Sequence, residues 1–173
     1  HLSIRRQRQM CIRDRCKTAT TKACDLHHGG TMADRPKYRA ENTDDSFYWE
    51  RVRRNLGWLG NSEAEQQARQ QRLRDATVGI AGAGGIGGAT AERLVRMGVQ
   101  NLKIADPDTF EASNINRQFA ATVGNIGRNK AEAVAEAVYE TTRDVNIDVF
   151  PEGICEDTVD EFFEGCDYVA LHR

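Results

Sequence analysis

The sequence predicts an α/β fold, a parallel sheet with helices on both faces, and three observations carry that prediction. Short β-prone apolar runs alternate with helical stretches from Thr77 onward. The first run, TVGIA at 77–81, leads straight into the turn Gly82-Ala83-Gly84-Gly85-Ile86-Gly87-Gly88. An aspartate, Asp106, closes the next run. Ligands of such sheets sit at the carboxyl ends of the strands, where Gly82 and Asp106 fall.

The elements follow in order. Thr43 or Asp44 can cap a helix carrying Phe47, Trp49, Val52 and Leu56, with Gly57 to end it. Ser62 with Glu65 three residues on forms a capping box for a second helix, which runs to about Arg74. That helix is too polar for a core, so a solvated connector is expected. After the glycines, Ile86, Ala89, Leu94 and Met97 recur at helical spacing up to Gly98. Leu102–Ala105 is the second strand, and a polar segment over 107–127 follows it. Lys130–Thr141 is an alanine-rich helix, Val145–Phe150 a third strand, Asp157–Phe163 a short helix, and Asp167–Leu171 a fourth strand.

Composition sets the outer bounds. With 39% apolar and 29% charged residues over 173 positions, one globular core is expected. No apolar run approaches the roughly 20 residues that cross a bilayer, and no signal-peptide core is evident, so a cytoplasmic location without membrane contact is expected. Residues 1–40 hold ten Lys/Arg against three Asp/Glu, while the remainder holds fourteen against twenty-three. A basic arm on an acidic body can be a nucleic-acid tail. The lack of periodicity favours a non-native or disordered arm over 1–40, with Met32 a plausible start. Cys11, Cys16, Cys24, His27 and His28 lie in that arm, but gaps of four and seven between the cysteines do not suit a structural zinc site. Cys155 and Cys166 read as core residues rather than a disulfide framework.

The glycine turn and its acid carry the chemistry. Glycines let backbone approach a ligand, and the helix N-terminus behind them presents free N–H groups to an anion. Asp106 lies nineteen residues past Gly87, where a carboxylate can accept ribose hydroxyls. This much fits a NAD(P)- or FAD-dependent oxidoreductase as well as an ATP enzyme. The discriminating stretch is DPDTFEASNINRQ at 106–118, which sets Asn114, Asn116 and Arg117 close together, with Lys130 thirteen residues further on. Arginine and lysine near a phosphate-binding turn can neutralise a triphosphate and the charge that develops when its α-phosphorus is attacked.

The ordered set GxGGxG, DxDxxxxSNxNRQ and GxxK resembles the adenylation domain of the ThiF/MoeB/HesA family and of the ubiquitin-activating E1 enzymes, over about residues 46–170. The resemblance implies a Rossmann-like ATP-binding adenylation domain over 76–173, preceded by a helical segment over 41–75. It implies ATP and Mg²⁺ as cofactors, and adenylation of a carboxylate, that of a ubiquitin-like or sulfur-carrier protein or, in one branch, of a modified tRNA base. It also implies a homodimer. Residue by residue, Gly82, Gly84, Gly85 and Gly87 form the nucleotide turn, and Asp106 holds the ribose. Asp108, Asn114, Asn116, Arg117 and Lys130 complete the nucleotide site, with Arg117 and Lys130 catalytic. Arg51 is implied to reach into the active site of the partner subunit. The family places an Mg²⁺-binding aspartate after the fourth strand, where this chain reads Leu171-His172-Arg173. The expectation is an adenylation domain cut short there, able to bind nucleotide but not to turn over. A non-catalytic dimer partner would have lost the phosphate-contacting residues, whereas Arg117 and Lys130 are present.

Overall fold

The computed structural model describes residues 35–172, so the Cys/His tract of the arm lies outside the described residues. Five strands, β1 (Lys37–Tyr38), β2 (Thr77–Ala81), β3 (Asn101–Ala105), β4 (Asn146–Phe150) and β5 (Tyr168–Leu171), form one sheet in the order β1-β4-β3-β2-β5. β2 to β5 are parallel, and β1 adds an antiparallel edge to β4. From β2 the chain steps outward to β3 and β4, then returns to place β5 on the other side of β2. The switch point therefore lies at the carboxyl end of β2, where the glycine turn begins.

Each strand shows one side chain to each face in turn. Helices α3 (Gly87–Met97) and α4 (Lys130–Thr142) cover one face, setting Ala91, Val95, Val134 and Val138 against Val78, Ile80, Leu102, Ile104, Ile147 and Val149. Helix α5 (Val159–Phe163) covers the other, where Phe162 and Phe163 meet Ala105 and Phe150. The α3 pattern read from sequence is rotated. Gly87, Gly88, Ala91 and Val95 face the sheet, while Ile86 and Met97 stay exposed. Small residues let the helix approach β2 closely, and that contact outweighs the burial of two larger side chains.

Two other expectations are corrected at the N-terminal side. The arm was expected to stay unstructured through residue 40, yet Lys37 and Tyr38 pair with Asp148 and Ile147. The Arg35 side chain is 8% exposed, ion-paired to Glu152 and Glu161 and stacked on the Phe150 ring at 4.8 Å. Tyr38 packs on Tyr139, whose hydroxyl donates to the Arg39 carbonyl at 2.9 Å. Nor is the polar second helix, α2 (Glu63–Asp75), merely solvated. Gln70 is fully buried, its Nε2 donating to Tyr48 Oη at 2.9 Å and to the Met97 carbonyl at 2.8 Å. An amide whose nitrogen finds two acceptors can be interior, which a count of apolar positions does not register.

Helix α1 (Asp45–Val52), capped by Asp44, buries Tyr48 and Val52 and leaves Phe47 exposed. Within its own protomer, Arg51 is held by two buried partners. The guanidinium makes a two-pronged ion pair with Asp144, at 2.7 and 3.0 Å, and donates to the Val95 carbonyl at 2.8 Å. Asp144 is 1% exposed and the Arg51 side chain 11%. The pair locks α1 across the ends of α3 and α4. Removing one member of a buried ion pair leaves the other uncompensated, at a cost of about 3–5 kcal/mol. Arg51→Ala is therefore expected to lower stability by about that amount in urea unfolding, and Arg51→Lys, which lacks the fork, to recover only part. An Arg51→Ala protein as stable as wild type would show that the pair does not anchor α1.

Candidate functional site

Strand register builds the rim of the site. Ala81, Ala105 and Phe150 are aligned across β2, β3 and β4, and Leu171 of β5 is level with Ala81. The loops starting at Gly82, Asp106 and Pro151 therefore leave the sheet side by side. Backbone bonds tie them together, Gly82 N–H to the Ala105 carbonyl at 2.8 Å and Asp106 N–H to the Phe150 carbonyl at 3.3 Å.

Four of the turn's five glycines, Gly82, Gly84, Gly85 and Gly87, divide by cause. Gly82 has φ 96°, and a Cβ there would run into the His172 carbonyl oxygen. A Cβ on Gly87 would collide with the Gly82 carbonyl oxygen and press on Ile80. Those two are demanded by the fold. A Cβ on Gly84 would meet nothing nearer than the Gln118 amide at 3.8 Å, and one on Gly85 would lie 3.4 Å from the Arg117 carbonyl oxygen. Packing makes no comparable demand there. A bare backbone at 84 and 85 suits close approach by a ligand instead.

Asp106 is the hub. It is 6% exposed, and each carboxylate oxygen accepts a backbone N–H, Oδ2 from Ala83 at 2.6 Å and Oδ1 from Asp108 at 2.9 Å. Burial raises its pKa above the ordinary value, while the N–H groups of Asp108 and Ala83 and the nearby Lys130 charge pull it back. Ionised, each oxygen keeps a lone pair for a ligand hydroxyl.

Two cations flank this hub. Lys130, the first residue of α4, is nearly buried, and its Nζ bonds Asp108 Oδ2 at 3.1 Å, with the Asp108 side chain 70% exposed. An incoming anion can compete with that solvated carboxylate for the ammonium. Arg117 lies against Gly85, its Cγ 3.7 Å from where a Cβ would stand. Its exposed guanidinium donates to the Ser113 carbonyl and Asn116 Oδ1, both at 2.9 Å. Asn116 thus orients the arginine. The buried Asn114 is used internally, its Oδ1 accepting from Glu111 N–H at 3.0 Å to close a short 3₁₀ turn over Ala112–Asn114. The amide oxygen thereby caps the turn that carries Arg117, while Nδ2 has only the Ser113 hydroxyl at 3.4 Å.

Two residues escaped the sequence reading. Gln118 packs its amide against Gly84, is 8% exposed, and leaves Oε1 without a protein partner. Asn129 bridges two strand ends. The Gln118 position was visible as the last letter of the SNINRQ run. Nothing in the sequence marked Asn129 except its place before a helix. Among the described residues, no His, Cys, Asp or Glu come together in a group of three that could hold a metal, and no helix is long and apolar enough to cross a membrane.

A switch-point glycine turn, a buried carboxylate holding it and two nearby cations give this α/β domain groups that suit a phosphorylated, hydroxyl-bearing ligand. The chain belongs to the ThiF family, whose sequence profile matches residues 53–172. It is similar to ubiquitin-like modifier-activating enzyme 5 of Bombyx mori, 31% identical over 144 residues that cover 82% of this chain and 34% of that protein. It is also similar to the sulfur carrier protein ThiS adenylyltransferase of Bacillus subtilis (strain 168), 40% identical over 96 residues, or 55% of this chain and 28% of that one. In three dimensions it matches E. coli tRNA N6-threonylcarbamoyladenosine dehydratase, TcdA, in complex with ATP. The TM-score is 0.64 at 28% identity, covering 74% of this chain and 50% of that chain. The chain thus spans about a third of the two curated relatives and half of the dehydratase. The family resemblance and the α/β fold read from the motifs are both borne out.

The division of the glycines is open to test. Gly87→Ala is expected to destabilise the domain severely, by more than about 2 kcal/mol, because a backbone oxygen cannot yield. Gly84→Ala is expected to leave the thermal midpoint within a few degrees while weakening binding of a nucleotide. Equal losses of stability in both variants would refute the split.

Proposed function

We propose that this chain forms the nucleotide-binding part of an ATP-dependent adenylyltransferase that activates a carboxylate. The single observation that carries the reading is the placement of Lys130 beside Asp108, and of Arg117 against Gly85, on either side of a turn organised by Asp106. Asp106 would accept the ribose hydroxyls, and the bare backbone at Gly84 and Gly85 would admit the phosphates. Arg117 and Lys130 would carry the charge of the transition state. A substrate carboxylate oxygen attacks the α-phosphorus, the bond to the bridging oxygen of the β-phosphate breaks, and pyrophosphate departs. No enzyme base is required, because a carboxylate is ionised at neutral pH.

Mg²⁺ belongs to the chemistry the family implies; among the described residues no three His, Cys, Asp or Glu come together to hold it, and no step is routed through the ion. The similarity to a ubiquitin-like modifier-activating enzyme and to a ThiS adenylyltransferase supports the C-terminus of a ubiquitin-like or sulfur-carrier protein as acceptor. A homodimer working in the cytoplasm completes the reading.

ATP with Mg²⁺ is expected to raise the melting temperature of the chain, and NADH to leave it unchanged. A shift with NADH alone would point to hydride transfer and sink adenylation. Lys130→Ala is expected to weaken ATP about ten- to a hundredfold, from a charged hydrogen bond of about 1.5–3 kcal/mol. Acidification protonates Asp106 and removes a ribose acceptor, so affinity falls as pH falls. Because burial raises this pKa, the fall should begin above the ordinary aspartate value of about 3.9. An Asp106→Asn protein should bind weakly and show no such fall, as calorimetric titration across pH would reveal.

A further inference from the structure

Asp106, Lys130 and the wall beginning at Pro151 lie on three separate segments, and one side chain touches all three. Asn129 caps α4, its Oδ1 accepting from the Glu132 N–H at 3.1 Å. Its Nδ2 donates in two directions, to the Asp106 carbonyl at 3.0 Å and to the Pro151 carbonyl at 2.9 Å. One amide therefore joins the end of β3, the end of β4 and the first turn of α4. The approach to that helix is also laced to the loop after β3, Lys130 N–H donating to the Asp108 carbonyl at 2.8 Å and Phe110 N–H to the Arg128 carbonyl at 2.9 Å.

We propose that Asn129 is a positioning residue that fixes the distance between the ribose acceptor Asp106 and the phosphate cation Lys130, without touching the nucleotide itself. The inference rests on the nucleotide-site reading above. The geometry requires it to act through its amide. Asp106 presents its carboxylate to the turn while its carbonyl is held by Asn129, so a shift of that carbonyl shifts the carboxylate. Lys130 is the next residue along the chain, and the Asn129 cap sets where its helix begins. A ligand that spans both groups, ribose at one end and phosphates at the other, feels an error in their separation. A ligand that engages the cations alone does not.

Capping and bridging can be separated by chemistry. Serine caps a helix about as well as asparagine but has no amide to reach the two carbonyls. Aspartate keeps the capping oxygen and suits the helix dipole, yet sets a carboxylate against both carbonyl oxygens. Calorimetric titration of wild type, Asn129→Ser and Asn129→Asp with ATP and with inorganic tripolyphosphate decides between the roles, folding being checked by thermal unfolding. The expected result is about a tenfold weaker ATP affinity in Asn129→Ser and a larger loss in Asn129→Asp, with tripolyphosphate affinity in Asn129→Ser within about twofold of wild type. Should Asn129→Asp fail to fold, Asn129→Ser alone settles the matter. ATP bound by both variants as tightly as by wild type would reduce Asn129 to a helix cap. Equal loss for ATP and tripolyphosphate would overturn the spacing role. Wild type that binds no ATP would remove the nucleotide reading and this inference with it, an outcome distinct from the other two.

Discussion

The structure depends on a buried carboxylate that must hold its neighbours to be tolerated. A charge withdrawn from water is costly unless donors surround it, and Asp106 meets Ala83 N–H and Asp108 N–H, one at each oxygen. Those bonds pull the glycine turn after β2 toward the loop after β3. Without that tie the turn and the acid would be neighbours in the sheet but independent loops. The level ends of β2, β3 and β4 make the tie possible, because they release three loops at one height.

The remaining charged groups sort by what surrounds them rather than by residue type. Arg51 and Arg117 are both arginines flanking the domain, yet Arg51 faces a nearly buried Asp144 and a helix-end carbonyl, which consume its donors. Arg117 faces a backbone carbonyl and a neutral amide, both near the surface, and keeps its charge uncompensated. An anion can therefore recruit the second and not the first. Lys130 is intermediate. It is nearly buried but its partner Asp108 is largely solvated, so an incoming anion can take the carboxylate's place at the ammonium.

Much of this was legible from residues and spacing. Strand positions came within a residue or two, because β-prone runs bounded by glycine and aspartate leave few alternatives. Ser62 capped its helix as its spacing indicated, and Lys130 began another. What misled was reliance on apolar counting. Met97 and Ile86 have the right period for a buried face, but the close approach of α3 to β2 selects Gly87, Gly88, Ala91 and Val95 instead. Gln70 looked like surface and is interior, because Tyr48 Oη and the Met97 carbonyl accept from its amide nitrogen. Arg35, Lys37 and Tyr38 looked like tail, because a two-residue strand has too little pattern to see, and only Asp148, Ile147 and the carboxylates of Glu152 and Glu161 give it partners.

By itself, then, the sequence determined the fold class, the family and the chemical inventory of the site. Glycines after a strand, an acid after the next and cations beyond them are local facts, written in order along the chain. Only the tertiary structure decided which of those groups meet. It separated the glycines the backbone demands, Gly82 and Gly87, from those it leaves open, Gly84 and Gly85. It drew Arg51 into the frame and made Asn129 a joint between three segments. The reason is physical. The role of a polar side chain is set by the partners within about 3 Å of its atoms, and those come from positions far along the chain that no spacing rule connects.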